Sequence, residues 1–376
     1  MKKYLLLPLL ALLFINVSAQ ETDEPPSVNE LIKKGIELYD AKDYKQAVAS
    51  FEEALKLEPS SMIAKYELAL TYLALKDYDN ATKFSTNVIN SKEKKLLTAA
   101  YGVKSEALAQ TGKTDEAIKL LEKGIKEVGN DYYLHFNLAL NYYNMDDMDK
   151  TIFHTEHALN LDKFQSGPYL LSAYALSNKE EWVQSILSFQ FFLLNEPSTP
   201  RSKVAFEEML QAMHVKETTE EPAERSFIQK QLERHSNKET SPVKVKKTPP
   251  LDSIQGINRA LVYNAIESTL DSLEVTINNQ NSIATDTLNC VQYQSFREVT
   301  RSIFTVLSEE NDGTKKGLVW SYQVPVITRI LESPYFDTYC RYISVAYFPE
   351  SLKWWEENPE WGDKFARWLE KGDEDE

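Results

Sequence analysis

The sequence predicts an all-α protein: a stack of helix pairs followed by a further, mostly helical C-terminal region. Three observations predict it. Apolar residues recur at helical spacing through most of the chain. Similar units return with a period near 34 residues between positions 28 and 199. Only 11 of 376 residues are glycine, too few for a fold rich in tight turns.

Residues 1–19 come first and stand apart. Lys2 and Lys3 precede an apolar run from Leu5 to Val17, and Val17-Ser18-Ala19 forms a small-residue cleavage site. A basic start, a short apolar stretch and such a site describe a secretory signal peptide cut after Ala19, so the mature chain is expected in a periplasm. The run is too short and wrongly flanked for a membrane span, and no later stretch approaches the ~20 apolar residues that a spanning helix needs. No cysteine lies near the cleavage site, so no lipid anchor is expected. The formal net charge is −15, and loss of Lys2 and Lys3 takes it to −17, a balance that repels phosphate backbones and excludes nucleic acid as the expected partner.

After a short linker at 20–27, the first repeated unit, 28–61, carries Gly35 where two helices approach, Ala47 and Phe51 four apart, Ala54, and Pro59 to end the second helix. Small residues let adjacent helices come close, and Phe51 and Leu55 fill the space beside them. The second unit starts near Met62 with Leu68-Ala69, Tyr72 and Ala81. The third starts near Thr98 with Ser105, Leu108 and Ala117, after a two-residue offset assigned to a loop at Glu93 to Lys95. The fourth spans 132–165 with Leu138-Ala139, Tyr142 and Ala158, and the fifth spans 166–199 with Ala173, Trp182, Phe189 and Pro197.

These residues resemble the tetratricopeptide-repeat (TPR) family, and five units in near-constant register make the likeness specific over 28–199. The resemblance implies a right-handed TPR α-solenoid with a concave groove lined by the first helix of each pair. Residues 200–235, with Phe206, Met209, Leu210 and then Phe227, Ile228 and Leu232, are expected to cap the stack, since an uncapped last repeat leaves an apolar face in water. Residues 236–251, rich in lysine and proline, read as a linker.

Residues 252–371 form the expected C-terminal domain, followed by an acidic tail at 372–376. Ile254, Ile257, Leu261, Ile266, Leu270 and Leu273 predict one long helix, with further helices over 296–307 and 324–331. Trp361, Phe365 and Trp368 fall on one helix face and are expected to pack in a core. The order of aromatic features resembles the tail domain of some exported Gram-negative TPR proteins. Cys290 and Cys340 are the only cysteines; an oxidising compartment would let them form a disulfide, and two buried free thiols are the alternative.

No catalytic constellation is legible. Gly112-Lys113-Thr114 has the ending of a phosphate loop, but Ala107 stands where its first glycine belongs and the segment is an inter-helix turn. His154 and His157 are three apart on one helix with no third ligand evident, so neither metal nor cofactor is expected. The expected partner is a protein or peptide, held in the groove by Ile32, Tyr39, Tyr66, Leu70, Tyr133, Phe136, Tyr143 and Tyr174. Family members that grip a C-terminal carboxylate use lysines, arginines and asparagines at such places, and this apolar, Tyr-rich strip has almost none. The expected function is a non-catalytic adaptor; a structural subunit or assembly factor of an outer-membrane or secretion complex is the alternative, and an unrecognised enzyme stands third.

Overall fold

A computed structural model describes residues 25–215, 250–251, 253–278 and 285–371. The signal-peptide, linker and acidic-tail expectations lie outside these residues, apart from residues 25–27 of the first linker and Pro250 and Leu251 of the second, as does the capping helix expected around Phe227. Ten helices make five antiparallel pairs: α1 (Val28–Asp40) with α2 (Tyr44–Leu57), α3 (Met62–Ala74) with α4 (Tyr78–Ser91), α5 (Lys94–Gln110) with α6 (Thr114–Val128), α7 (Tyr132–Asn144) with α8 (Met148–Leu161), and α9 (Ser166–Asn178) with α10 (Trp182–Asn195). Helix α11 (Pro200–Ala212) follows.

The spacing of apolar residues explains the pairing. Gly35 lets α1 lie against α2 so closely that a Cβ there would sit 2.4 Å from the Phe51 ring, and Ala47, Phe51 and Ala54 are fully buried. Gly124 plays the same part in the third unit, against Tyr101 and Leu134.

The turn inside each pair obeys one rule that sequence reading missed. Lys42, Lys76, Gly112, Asp146 and Glu180 all have φ between 60° and 78°. The next residue's N–H returns to a carbonyl near the end of the first helix: Asp43 to Leu38, Asp77 to Tyr72, Lys113 to Leu108, Asp147 to Tyr142 and Glu181 to Leu176, all at 2.8–3.0 Å. This is a left-handed C-terminal cap that reverses the chain. Asp43, Asp77 and Asp147 then cap the following helix through Gln46, Asn80 and Lys150. His214 at φ 59° and Val215 N–H to Leu210 repeat the pattern after α11. Helix α11 is therefore the first helix of a sixth unit, in register with the rest. The two-residue offset lies inside α5, which begins at Lys94, and not in the loop expected at Glu93 to Lys95.

The C-terminal region departs from expectation at its start. Ile254 and Ile257 do not open a long helix; they pair in a hairpin of β1 (Ser253–Ile254) and β2 (Ile257–Asn258), turning through Gln255 and Gly256 at φ 49° and 79°. Two consecutive positive φ angles suit a two-residue hairpin and bar a helix. Then come α12 (Arg259–Asn278), α13 (Thr285–Glu309), a π-helical turn (Val319–Gln323) leading into α14 (Val324–Glu332), α15 (Phe336–Ile343), α16 (Pro349–Glu357) and α17 (Pro359–Lys371). Phe365 and Trp368 are buried and Trp361 half-buried, all three around Tyr335.

Among the described residues this region has no core of its own. One continuous cluster joins Tyr169, Trp182, Phe191 and Phe206 of the fifth and sixth units to Phe296, Phe304, Ile327, Tyr339 and Phe348. The boundary drawn at residue 251 therefore divides the chain but not its core. Phe206 alone meets Phe296, Tyr347 and Phe348 at ring-centre distances of 4.9–5.5 Å. Covered on both sides, α10 buries every residue from Trp182 to Leu193.

Candidate functional site

Odd-numbered helices form a continuous inner wall. Each touches the next (α1 on α3, α3 on α5, α5 on α7, α7 on α9), and among the described residues no even-numbered pair of the solenoid is in comparable contact. The phenol of Tyr39 on α1 is pushed up by burial first, then by Tyr44 and by the nearby charges of Glu67 on α3 and Glu106 on α5. That of Tyr66 on α3 is pushed up by burial, then by Glu67, Tyr39 and Tyr133 on α7.

The expected groove residues divide into two sets. Tyr133 is 61% exposed, and Tyr39, Tyr66, Leu70, Phe136 and Tyr143 are half-buried along the same wall. Ile32 and Tyr174 are buried. Ile32 belongs to the core between the first two units, and Tyr174 stands edge-on to Phe189 at 5.5 Å. Their helices press against a neighbour at those positions, which a register based on one helix cannot see. Phe136 is partly committed as well, since a Cβ at Gly167 would stand 2.8 Å from its ring. Ile63, 50% exposed near the start of α3, and Ile36, 38% exposed on α1, supply further apolar surface.

Carboxylates are the feature that the sequence strip understated. Burial raises Glu67, with a contribution from Asp40, and the protein packed around Glu106 raises it as well, although its side chain is exposed. At the far end of the wall Glu208 on α11 is pushed up to about 7, chiefly by burial, while its hydrogen bond with Tyr174 opposes the shift. Beside it Asn178 donates to the Tyr143 hydroxyl at 3.4 Å. Periodicity does find Glu208 once α11 is counted as a sixth first helix.

His154 and His157 gain a third imidazole, His135 on α7, whose Nδ1 lies 3.0 Å from Nδ1 of His154. Burial first, then His135, His157 and Lys150, hold His154 down at about 4. His135 stacks on His157 and His154 on Tyr142, while the rings of His135 and His154 are tilted at 36°. Among the described residues no group of three or more His, Cys, Asp or Glu side chains is placed to hold a metal ion. Cys340 is fully buried on α15 with no disulfide among the described residues, and the side chain of Cys290 lies outside them, as does the choice between a disulfide and two free thiols. Among the described residues no helix is long and apolar enough to cross a membrane.

Residues 32–84 and 98–127 match models of the tetratricopeptide repeat. With the paired helices and the contacts between successive first helices, this settles the architecture. Helices α1 to α10 form a TPR solenoid. A TPR repeat-containing protein of Methanocaldococcus jannaschii is 25% identical over 122 residues, 32% of this chain and 21% of that protein, so the match spans about a fifth of the relative's length. Among solved structures, a thermophilic TPR protein of Thermus thermophilus is 21% identical with TM-score 0.43, covering 50% of this chain and 100% of that one. PilF of Pseudomonas aeruginosa is 18% identical with TM-score 0.43, covering 50% and 84%. PilW, described as a type IV pilus biogenesis factor, is 16% identical with TM-score 0.44, covering 50% and 86%. The TPR fold is typically a non-catalytic scaffold for protein interaction, and the first five units have its form.

Proposed function

We propose that this chain is a non-catalytic scaffold that holds a segment of a partner polypeptide against the inner wall of its TPR solenoid, in the periplasm to which residues 1–19 direct it. The carrying observation is the wall of first helices, where Tyr133 stands 61% exposed among half-buried Tyr39, Tyr66 and Tyr143. Folding has already ordered these phenol rings, so a partner gains apolar contact and hydrogen bonds at small further entropic cost. The C-terminal helices close the array, covering the apolar faces of the fifth and sixth units.

Peptide display against the mature chain tests this reading. Selected peptides should lose binding to a Tyr66→Ala/Tyr133→Ala variant whose helical circular dichroism is unchanged. Equal binding to that variant, or selection of no peptide, would contradict it. For export, N-terminal sequencing of the protein from its envelope should begin at Gln20; an intact Met1 would remove the periplasmic assignment.

A further inference from the structure

We propose that the fourth unit is an acid-sensitive joint of the solenoid. His135 on α7 and His154 and His157 on α8 hold the two helices together while uncharged and part them when protonated, and a segment held by the α7 side chains of the inner wall is then released. Only this last step rests on the groove reading above.

Geometry carries the joint. Nδ1 of His135 and Nδ1 of His154 stand 3.0 Å apart, the separation of one hydrogen bond in which one nitrogen donates and the other accepts. Protonating both rings puts a hydrogen on each of the facing nitrogens, so the bond becomes a meeting of two donors. His157 donates from Nδ1 to the Phe153 carbonyl at 2.9 Å, and its ring lies 5.1 Å from that of His135. The imidazoles thus meet where α7 packs on α8, and His135 is only 4% exposed. Two or three like charges cannot be held there without cost.

The neighbouring charges do not compensate. Among the described residues the histidine with a carboxylate partner is His214, 3.0 Å from Glu267, and not one of these three. Asp131, before α7, accepts from the main-chain N–H groups of Tyr133 and Leu134 at 2.9 and 3.4 Å, although its charge reaches His135. Lys150 on α8 adds a positive charge: it pairs with Asp147 at 3.0 Å and lies over the Tyr142 ring on which His154 stacks. Glu122 on α6 hydrogen-bonds that same tyrosine, and Lys179, after α9, is taken up by Asp149 and Glu181. Glu156 on α8 reaches His157 with its charge, but burial disfavours that charge too. Burial first, then the neighbouring imidazoles, hold His154 down at about 4 and His135 below its usual value. Both rings therefore stabilise the closed pair fully above about 6.5 and lose that contribution as pH falls toward 4.

Sequence position confines the effect. Units one to three contain no histidine. Glu67 and Glu208, raised by burial, respond in the opposite sense, because acid removes a charge that burial disfavours. Glu156 does the same inside unit four and offsets part of the loosening. Helix α7 also carries Tyr133, Phe136 and Tyr143 of the wall, so parting it from α8 displaces them.

Amide hydrogen exchange of the protein at pH 7.5 and 5.0, divided by the free-amide rate at each pH, tests the joint. Protection in α7 and α8 should fall about tenfold or more at pH 5.0, while that in α1–α4 stays within about twofold. His154→Phe keeps a ring against Tyr142 without a titrating nitrogen and should shrink the fall to less than about threefold. Unchanged protection of α7 and α8 in the parent protein would overturn the proposal, whether or not the variant folds, and so would an equal fall in α1–α4. Release is read separately, by fluorescence anisotropy of a labelled peptide from the display selection that lacks Asp, Glu and His. It should bind about fivefold or more weaker at pH 5.0 to the parent, and equally at both pH values to His154→Phe. Equal binding to the parent at both pH values, with α7 and α8 loosened, would overturn the release and leave the joint standing. Binding at neither pH would overturn the groove reading and the release with it, again leaving the joint to the exchange result.

Discussion

Arg259 reaches 79 residues back along the chain and donates from Nη1 to the main-chain carbonyl of Glu180 at 2.9 Å. Glu180 is the left-handed residue of the turn between α9 and α10, and Arg259, only 2% exposed, opens α12. Nearby, Trp182 donates from its indole N–H to the carbonyl of Pro250 at 3.0 Å, and Trp320 to that of Gln255 at 2.8 Å. These three bonds fasten the hairpin between the last repeat turn and the C-terminal helices.

Arg259→Met should therefore loosen the junction, because it leaves the Glu180 carbonyl short of a buried donor. The expected loss is about 1–3 kcal/mol. All six tryptophans lie at or beyond Trp182, so indole fluorescence reports on this half of the molecule alone. A urea titration followed at the indoles should shift to lower midpoint, while α1–α4 keep their amide protection. An unshifted midpoint would mean that the bond adds nothing.

Turn geometry gives a second prediction. Lys76 adopts φ 62° with an exposed side chain, a conformation that a Cβ disfavours. Lys76→Gly should stabilise the second repeat by about 0.5–1 kcal/mol, and Gly112→Ala, at φ 78°, should destabilise the third by a similar amount. Thermal melts of the two variants should move in opposite directions.

The contact between Gly35 and Phe51 gives a third. A methyl group on Gly35 would stand only 2.4 Å from the ring, so Gly35→Ala forces α1 away from α2. The cost should be about 1–3 kcal/mol, concentrated in the first unit. Hydrogen exchange should speed up in α1 and α2 and leave α9 and α10 unchanged.

Much of this was legible in the sequence, and the reasons are local. Gly35, Ala47, Phe51 and Ala54 announce a helix pair because each residue type answers a steric demand inside one unit. The left-handed turns were hidden since lysine and glutamate occupy three of the five positions, and neither advertises a positive φ. The fate of Ile32 and Tyr174 was hidden for another reason: whether a wall residue is open or covered depends on the neighbouring unit. Phe365 and Trp368 read correctly as core and Trp361 only in part, while the joining of the tail's core to the fifth and sixth units was beyond periodicity.

Titration gives a fourth prediction. Glu208 has its folded-state value raised from 4.5 to about 7, so it favours the folded state most below about 4.5. That contribution is lost as pH rises through 7. Glu208→Gln should remove this dependence, making the variant the more stable protein at pH 8 and equal to the parent near pH 4. His154 acts at the acid side: with its value lowered from 6.5 to about 4, its contribution is full above 6.5 and is lost as pH falls through 4. Stability measured at pH steps from 4 to 8 in both E208Q and H154Q separates the two.

The central claim is that the inner wall is the binding surface, and photo-crosslinking tests it most directly. A peptide taken from the display selection and carrying one benzophenone is irradiated with the protein, and adducts are located by mass spectrometry. The account predicts adducts on α1, α3, α5 and α7, around Ile36, Ile63, Glu106 and Tyr133. Adducts confined to the outer helices α2, α4 and α6, or to α12–α17, would contradict it.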